Sequence, residues 1–137
     1  MSWAQSLIRL STYEVEVLQK RLSEIADARA AVEVKRALLD AEGEAEALNA
    51  RDDAEAGWCH IAFMDALRVR KAQADAHIAL LKQEEEGARD ALNQAFETQK
   101  KYEHVAENIQ LTERKEVAKR EIAMLDDLGL RRVANSR

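Results

Sequence analysis

Apolar side chains recur every seven residues along the first third of the chain. Heptad position d holds Leu18, Ile25, Val32 and Leu39. Heptad position a holds Val15, Leu22, Arg29 and Arg36. A period of 3.5 residues is the contact seam of a left-handed coiled coil. Arginine is tolerated in it because its aliphatic stem packs while its charged end reaches solvent. The pattern predicts a first helix over about residues 3–48.

Two candidate capping sequences lie before the first residue of this heptad repeat. Ser2 with Gln5, and Ser11 with Glu14, each place a hydroxyl side chain three residues before a Glu or Gln. This is the arrangement of a capping box, in which two unpaired backbone N–H groups at a helix N-terminus are satisfied by side chains. We expect the first helix to begin at one of these two sites.

The apolar repeat fades after residue 39. Residues 40–56 carry seven acidic side chains and one Arg, and Leu48 is their only large apolar residue. The weak helix formers in this region are Gly43, Asn49 and Gly57. We predict a turn at about residues 49–57, with an acidic residue capping the next helix. The alternative is one unbroken helix with a solvated acidic face.

A second seam predicts a second helix over about residues 58–128. Its apolar members are Ile78, Leu81, Ala88, Leu92, Ala95, Tyr102, Ala106 and Ile109, and its polar breaks are Glu85 and Gln99. The register slips after this point, which is typical of a stutter. Since the second helix is the longer one, its C-terminal part should overhang without a partner from the same chain. Gly129 is expected to end this helix, and residues 133–137 should fray.

Composition supports an all-α protein. The 137 residues include no proline, and Ala, Glu, Leu, Lys and Arg together supply 78 of them, a share typical of long helices and coiled coils. Aromatic residues make up only 4%, which favours a thin seam over a thick core. We predict a long antiparallel two-helix coiled-coil hairpin over residues 1–132, with an overhanging C-terminal helix. A hairpin monomer and a domain-swapped dimer would bury the same seam.

Charge and residue content exclude several classes of function. The net charge of −5 disfavours nucleic acid, which basic proteins bind. The lone Cys59 makes no internal disulfide, and the three His are scattered along the sequence. Because a thin coiled coil offers no pocket for a triad or a metal, we expect no catalytic residue, no cofactor, no metal and no small-molecule substrate. We also expect no signal peptide and no membrane span.

An aromatic-rich cluster opens the second helix. It consists of Trp58, Cys59, Ile61, Phe63, Met64 and Leu67. Phe63 and Leu67 share a helix face, since they are four residues apart, and Arg70 and Ala74 continue that stripe. The cluster either seals the end of the hairpin as a small core or forms an exposed docking patch, because aromatics and Met are favoured at interfaces.

The ordered set of these features resembles the FliJ family of flagellar type III export proteins, relatives of the YscO-type stalk proteins of injectisomes. The N-terminal heptads lead to a polar turn, and Phe63 with Leu67 looks like the family's F-x-x-x-L motif. Residues 100–103 (KKYE) resemble its basic-then-Glu stretch. Residues 113–116 (ERKE) and 121–128 (EIAMLDDL) resemble its closing run, although Asp127 stands where the family usually has Glu.

The resemblance implies a role without chemistry. Such proteins act as a central stalk that promotes assembly and activity of a hexameric export ATPase. They also contact the export gate, a membrane protein, and can escort export chaperones. The protein would be cytoplasmic and peripherally associated with the inner face of the cell membrane at the export apparatus.

Residues are assigned to these roles by their match to the family pattern, and for the ring end also by the overhang's lack of a partner from the same chain. The stripe facing the export gate would be Phe63, Leu67, Arg70 and Ala74. The end that binds the ATPase ring would be Arg114, Lys115, Arg120, Leu125 and Leu128. Two other interpretations remain: a generic coiled-coil adaptor that dimerises through the overhang, and a holding chaperone of the prefoldin type. Prefoldins, however, need strand segments that are not evident here.

Overall fold

The computed structural model describes residues 2–51 and 56–136. They form two helices, α1 (Trp3–Arg51) and α2 (Ala56–Asn135). The described residues contain no strand. The prediction of an all-α fold made of two long helices that pack against each other is therefore confirmed.

The first helix begins at the earlier of the two capping sequences. The Ser2 hydroxyl accepts a hydrogen bond from the Gln5 backbone N–H at 3.3 Å, and the Ser2 N–H donates to the Gln5 side-chain oxygen at 3.4 Å. This reciprocal pair is the capping box that the sequence predicts. The second candidate lies inside the helix, where the Ser11 hydroxyl donates to the Ile8 carbonyl oxygen at 2.8 Å.

Both helices extend into the segment that was predicted to form the turn. α1 continues through Arg51 and α2 already begins at Ala56, so the two ends of the predicted turn at residues 49–57 are helical. Asn49 does not stop α1, since an asparagine inside a helix costs only about 0.7 kcal/mol relative to alanine. The remaining residues of the predicted turn, 52–55, lie outside the described part of the chain.

The predicted end of α2 is wrong, because the helix passes through Gly129 and ends at Asn135. A glycine inside a helix costs about 1 kcal/mol, and good helix formers follow this one. An ion pair between Arg131 and Asp127, 3.6 Å apart and one turn from each other, spans the glycine. The Ser136 N–H then donates to the Arg132 carbonyl at 3.1 Å.

The heptad assignments of both seams are confirmed. Every residue placed in the seam of α1 from Val15 to Leu39, and in that of α2 from Ile78 to Ile109, is buried or half-buried. Buried members include Leu81, Ala88 and Leu92. A thin seam therefore forms the core, as the low aromatic content predicts.

The chain divides into two compact units. One unit is Val15–Gln94. Within it the two helices run antiparallel. Arg29 contacts Glu85, whereas Arg36, which comes later in α1, contacts Asp75, which comes earlier in α2. One core cluster of this unit joins Leu39, Leu67 and Ala74, with Val32, Phe63 and Met64 packed against them.

The other unit is Met1–Glu14 with Ala95–Arg137. Ala4, Ser11 and Ala95 are its buried residues. The Gln99 side-chain amide donates to the Thr12 hydroxyl at 3.0 Å, so the polar break of the α2 seam is satisfied across the seam. Every described residue after Ile109 is exposed. We call residues 110–136 the C-terminal overhang.

Candidate partner-binding surfaces

One flank of the seam in the unit Val15–Gln94 is closed by a network of ion pairs. Arg36 contacts Asp40 at 2.6 Å on its own helix and Asp75 at 2.9 Å on the other. Lys71, which lies on α2, contacts Asp40 at a distance of 2.8 Å. The hydrogen bonds from Lys71 and then Arg36 hold the pKa of Asp40 below its ordinary value. The four side chains therefore fasten the two helices along this flank.

A second ion pair lies inside the seam. The Arg29 guanidinium donates to the Glu85 carboxylate at 2.6 Å, and only 12% of the Glu85 side chain is exposed. The hydrogen bond from Arg29 lowers the pKa of Glu85, although desolvation opposes it. Glu33 also pairs with Arg29 at 3.0 Å. Arg29 and Glu85, which interrupt the apolar repeats of two different helices, therefore form an ion pair with each other.

The opposite flank of the same seam is open. It forms a groove, which we call the hairpin groove, lined by Val32, Lys35, Leu38, Leu39, Glu42, Arg70, Gln73, Ala74 and His77. Leu38 contributes an exposed apolar side chain. Lys35 and Arg70 bring positive charge to its two walls, and both are exposed. The groove can therefore receive an apolar side chain next to an acidic one.

The four residues predicted to face the export gate do not all lie on the surface. Leu67 is only 2% exposed and Ala74 is also buried. Phe63 is half-buried against their core. Arg70 is exposed and lines the hairpin groove. Of the predicted stripe, Arg70 is exposed to solvent, whereas Leu67 serves the packing of the two helices.

The aromatic-rich cluster of α2 is divided between core and surface. Phe63, Met64 and Leu67 turn towards α1, while Trp58 is 84% exposed and Ile61 is exposed beside it. Cys59 is an exposed free thiol. Part of the cluster therefore belongs to the core, and the other part is exposed; whether the exposed residues form a docking patch stays a prediction.

All five residues predicted for the ATPase-ring end lie on the C-terminal overhang and are exposed. They are Arg114, Lys115, Arg120, Leu125 and Leu128. Leu125 and Leu128 are 68% and 55% exposed, although both are large and apolar. The overhang therefore exposes large apolar side chains beside its basic ones.

The described residues include no group of three or more His, Cys, Asp or Glu side chains that could hold a metal ion. None of the helices, as far as the structure describes them, is long and apolar enough to span a bilayer. The surfaces described above offer a binding partner a groove, exposed apolar side chains and charged groups.

Sequence reasoning missed most of the hairpin groove. Lys35 and His77 each lie one helical turn from a seam or core residue of the same helix, and Leu38 and Gln73 adjoin Leu39 and Ala74 in sequence, on the side away from the ion pairs. Their positions beside the seam are readable once the heptad is assigned. Which flank is open depends on the ion pairs across the helices, and the pattern within one helix does not reveal those.

Comparisons with known proteins point to one protein family. Residues 4–137 match the family model described as Flagellar FliJ protein. The chain is 51% identical over 83 residues to the protein named Flagellar FliJ protein in Caulobacter vibrioides, in strain NA1000 / CB15N and equally in strain ATCC 19089 / CIP 103742 / CB 15. Each alignment covers 61% of this chain and spans 60% of the relative's length. No solved structure matches the chain significantly. Because the family model covers nearly every residue, the chain belongs to the FliJ family of flagellar export-related proteins.

Proposed function

We propose that this protein is a stalk-like component of flagellar type III export that promotes the assembly and activity of a hexameric export ATPase. It does so without chemistry of its own. A rod can bias the subunits of a ring only by contacting one of their conformations better than another. The parts that make such contacts are therefore surfaces with exposed apolar and charged side chains.

The observation that carries the proposal is the C-terminal overhang. Every described residue of this segment is exposed. Helices of globular proteins owe most of their stability to packing of an apolar face. An overhang with Leu125 and Leu128 exposed therefore fits a segment that packs on another protein, and Arg114, Lys115 and Arg120 would meet acidic groups of the ring.

The hairpin groove is the surface that we assign to the export gate. Arg70 is exposed on its wall, and the apolar side chain of Leu38 is accessible beside it. Phe63, Leu67 and Ala74 contribute by holding α1 and α2 at the spacing that shapes the groove. The gate is a membrane protein, so the chain would work in the cytoplasm, peripherally at the inner face of the membrane, where it could also escort export chaperones.

The test combines the purified protein with the cognate export ATPase and follows ring formation by light scattering. Substoichiometric amounts of the protein should raise the fraction of hexamer, because one stalk serves six ATPase subunits. If the folded, helical protein neither binds the ATPase nor changes its assembly, the stalk function is wrong. A generic coiled-coil adaptor or a prefoldin-like holding chaperone would then be the remaining interpretations.

A further inference from the structure

The C-terminal overhang carries an apolar seam of its own. Val117, Met124 and Leu128 are separated by seven and four residues, which places them on one face of a helix. Their exposed fractions are 49%, 65% and 55%. Ala118 and Leu125 border this face along one edge and are exposed as well. The seam is therefore uncovered in the described part of the chain.

The central part of the overhang, residues 114–127, is divided into two halves of opposite charge. Residues 114–120 carry four basic side chains and one acidic one, a net charge of +3. Residues 121–127 carry three acidic side chains and no basic one, a net charge of −3. Two parallel copies in register would oppose like charges, whereas two antiparallel copies would bring each half beside its opposite.

We propose that the overhang is a dimerisation element and that the partner on its seam is the overhang of a second copy, packed antiparallel. A two-fold axis between Ile122 and Ala123 sets Val117 against Leu128 of the second copy, and Met124 against the stem of its Glu121. Because the axis repeats each contact, the interface is self-complementary.

The borders of the seam fit the same alignment. On one edge, Arg120 lies beside Asp127 of the second copy, and the pair occurs twice. On the other edge, Ala118 lies beside Leu125 of the second copy, also twice. Asp127 already contacts Arg131 of its own helix at 3.6 Å, but the two side chains are 65% and 73% exposed, so this contact leaves the carboxylate accessible.

The length of the overhang suits such a dimer. Gln110 to Asn135 is 26 residues, or about 39 Å of helix at 1.5 Å per residue. This exceeds the roughly 12–15 residues below which isolated helices are marginal in water. The interface is a single helix pair, so it lies at the small end of specific interfaces and should give a reversible, micromolar dimer.

Sedimentation of the full chain alone, over a range of concentrations, tests the proposal. The mass should rise from that of the 15.5 kDa chain to twice that value. Arg120→Glu should weaken the dimer roughly tenfold, because two attractive pairs become repulsive. Asp127→Arg should do the same. An equimolar mixture of the two variants should dimerise as well as the natural protein, since each then supplies the charge that the other lacks.

Lys20→Glu is the matched control, because it reverses an exposed charge on α1 outside the overhang and should change nothing. Circular dichroism should show that each variant keeps its helices. A chain that stays monomeric up to about 100 µM contradicts the proposal. So does a dimer that both charge reversals leave unchanged.

The antiparallel orientation of the two copies is tested separately by disulfide cross-linking. The experiment uses a Cys59→Ser background, which removes the natural free thiol. A mixture of Val117→Cys and Leu128→Cys chains should give, on mild oxidation, mainly the disulfide between one copy of each. Preferred disulfides between two Leu128→Cys chains would indicate a parallel pair and overturn the antiparallel arrangement. These tests involve no ATPase, so they succeed or fail separately from the proposed function, although the dimer would compete with the ring for the same face.

Discussion

Leu67 packs into the space that Gly43 leaves by having no side chain. A Cβ atom built at Gly43 would lie 2.7 Å from the Leu67 Cδ2 atom, closer than real Cβ contacts. Leu67 is the most buried large side chain among the described residues. The packing of α1 against α2 at this point therefore depends on a glycine in one helix and a leucine in the other.

Replacing this glycine by alanine should destabilise the protein. Gly43→Ala gains about 1 kcal/mol of helix propensity, but overpacking a filled site costs about 1–3 kcal/mol, and the Leu67 side chain that would have to shift is buried in the core. We expect a net loss of about 1 kcal/mol and a melting temperature lower by several degrees, measured by circular dichroism.

Gly87→Ala is the matched control for that change. Gly87 also lies inside a helix, but nothing is found within 4 Å of a Cβ built there. The full propensity gain of about 1 kcal/mol should appear, so the melting temperature should rise. If both variants melt at a higher temperature than the natural protein, the close contact at Gly43 is not limiting.

Leu67→Ala should destabilise the fold by about 2–5 kcal/mol, because it opens a cavity between the helices. Val69→Ala, two residues away on the exposed face, should change the free energy of unfolding by no more than about 0.5 kcal/mol. Urea unfolding compares the two. A Leu67→Ala protein of natural stability that no longer binds the export gate would show instead that Leu67 is a docking residue.

The stability of the protein should fall in acid through the ion pairs across the seam. Arg29 holds the pKa of Glu85 below its ordinary value of 4.5, and Lys71 with Arg36 does the same for Asp40, ordinarily 3.8. A lowered carboxyl pKa contributes stability that is present above the unfolded value and is lost as the pH falls through the folded one. The loss should therefore begin below about pH 4.5.

Glu85→Gln removes the titrating group at that position and should flatten this part of the stability curve while lowering stability at neutral pH. Glu84→Gln, an exposed neighbour, serves as the control and should leave the curve unchanged. Urea unfolding at pH values from about 3 to 7 measures both. A Glu85→Gln curve with the natural acid dependence would assign the loss to other carboxylates.

The hairpin groove predicts a charge-dependent contact with the export gate. Arg70→Glu should weaken binding of the cytoplasmic part of the gate roughly tenfold, because it places a carboxylate on the wall of the groove. Arg68→Glu reverses a charge two residues away that does not line the groove, so it should have little effect. Titration calorimetry compares them, and equal losses would argue for a general charge effect.

Heptad spacing predicted the helices and their seams because one face of each helix must be buried, and burial follows a period of 3.5 residues. Contacts between helices were less accessible. Gly43 looked like a weak point near a turn, yet it is a buried contact for Leu67. Arg29 and Glu85 looked like isolated polar breaks, 56 residues apart in sequence. Their pairing depends on the alignment of the two helices, which neither repeat contains alone.

The predicted sites likewise divide into features that the sequence pattern reveals and features that depend on contacts between the helices. The overhang could be inferred from the unequal lengths of the two repeats, and its assigned residues are exposed. The stripe of Phe63, Leu67, Arg70 and Ala74 was placed by spacing along one helix. Spacing could not tell which members turn to α1, since a face shared by four residues can be buried or free.

The ATPase rate of the cognate export ATPase, with and without this protein, tests the central claim most directly. The natural protein should raise the rate, and Leu125→Ala combined with Leu128→Ala should abolish the increase. Leu130→Ala, which truncates an equally exposed leucine on the opposite side of the overhang, should retain it. No stimulation by the folded natural protein, or full stimulation by the double variant, would contradict the account of the overhang as the ring-binding end.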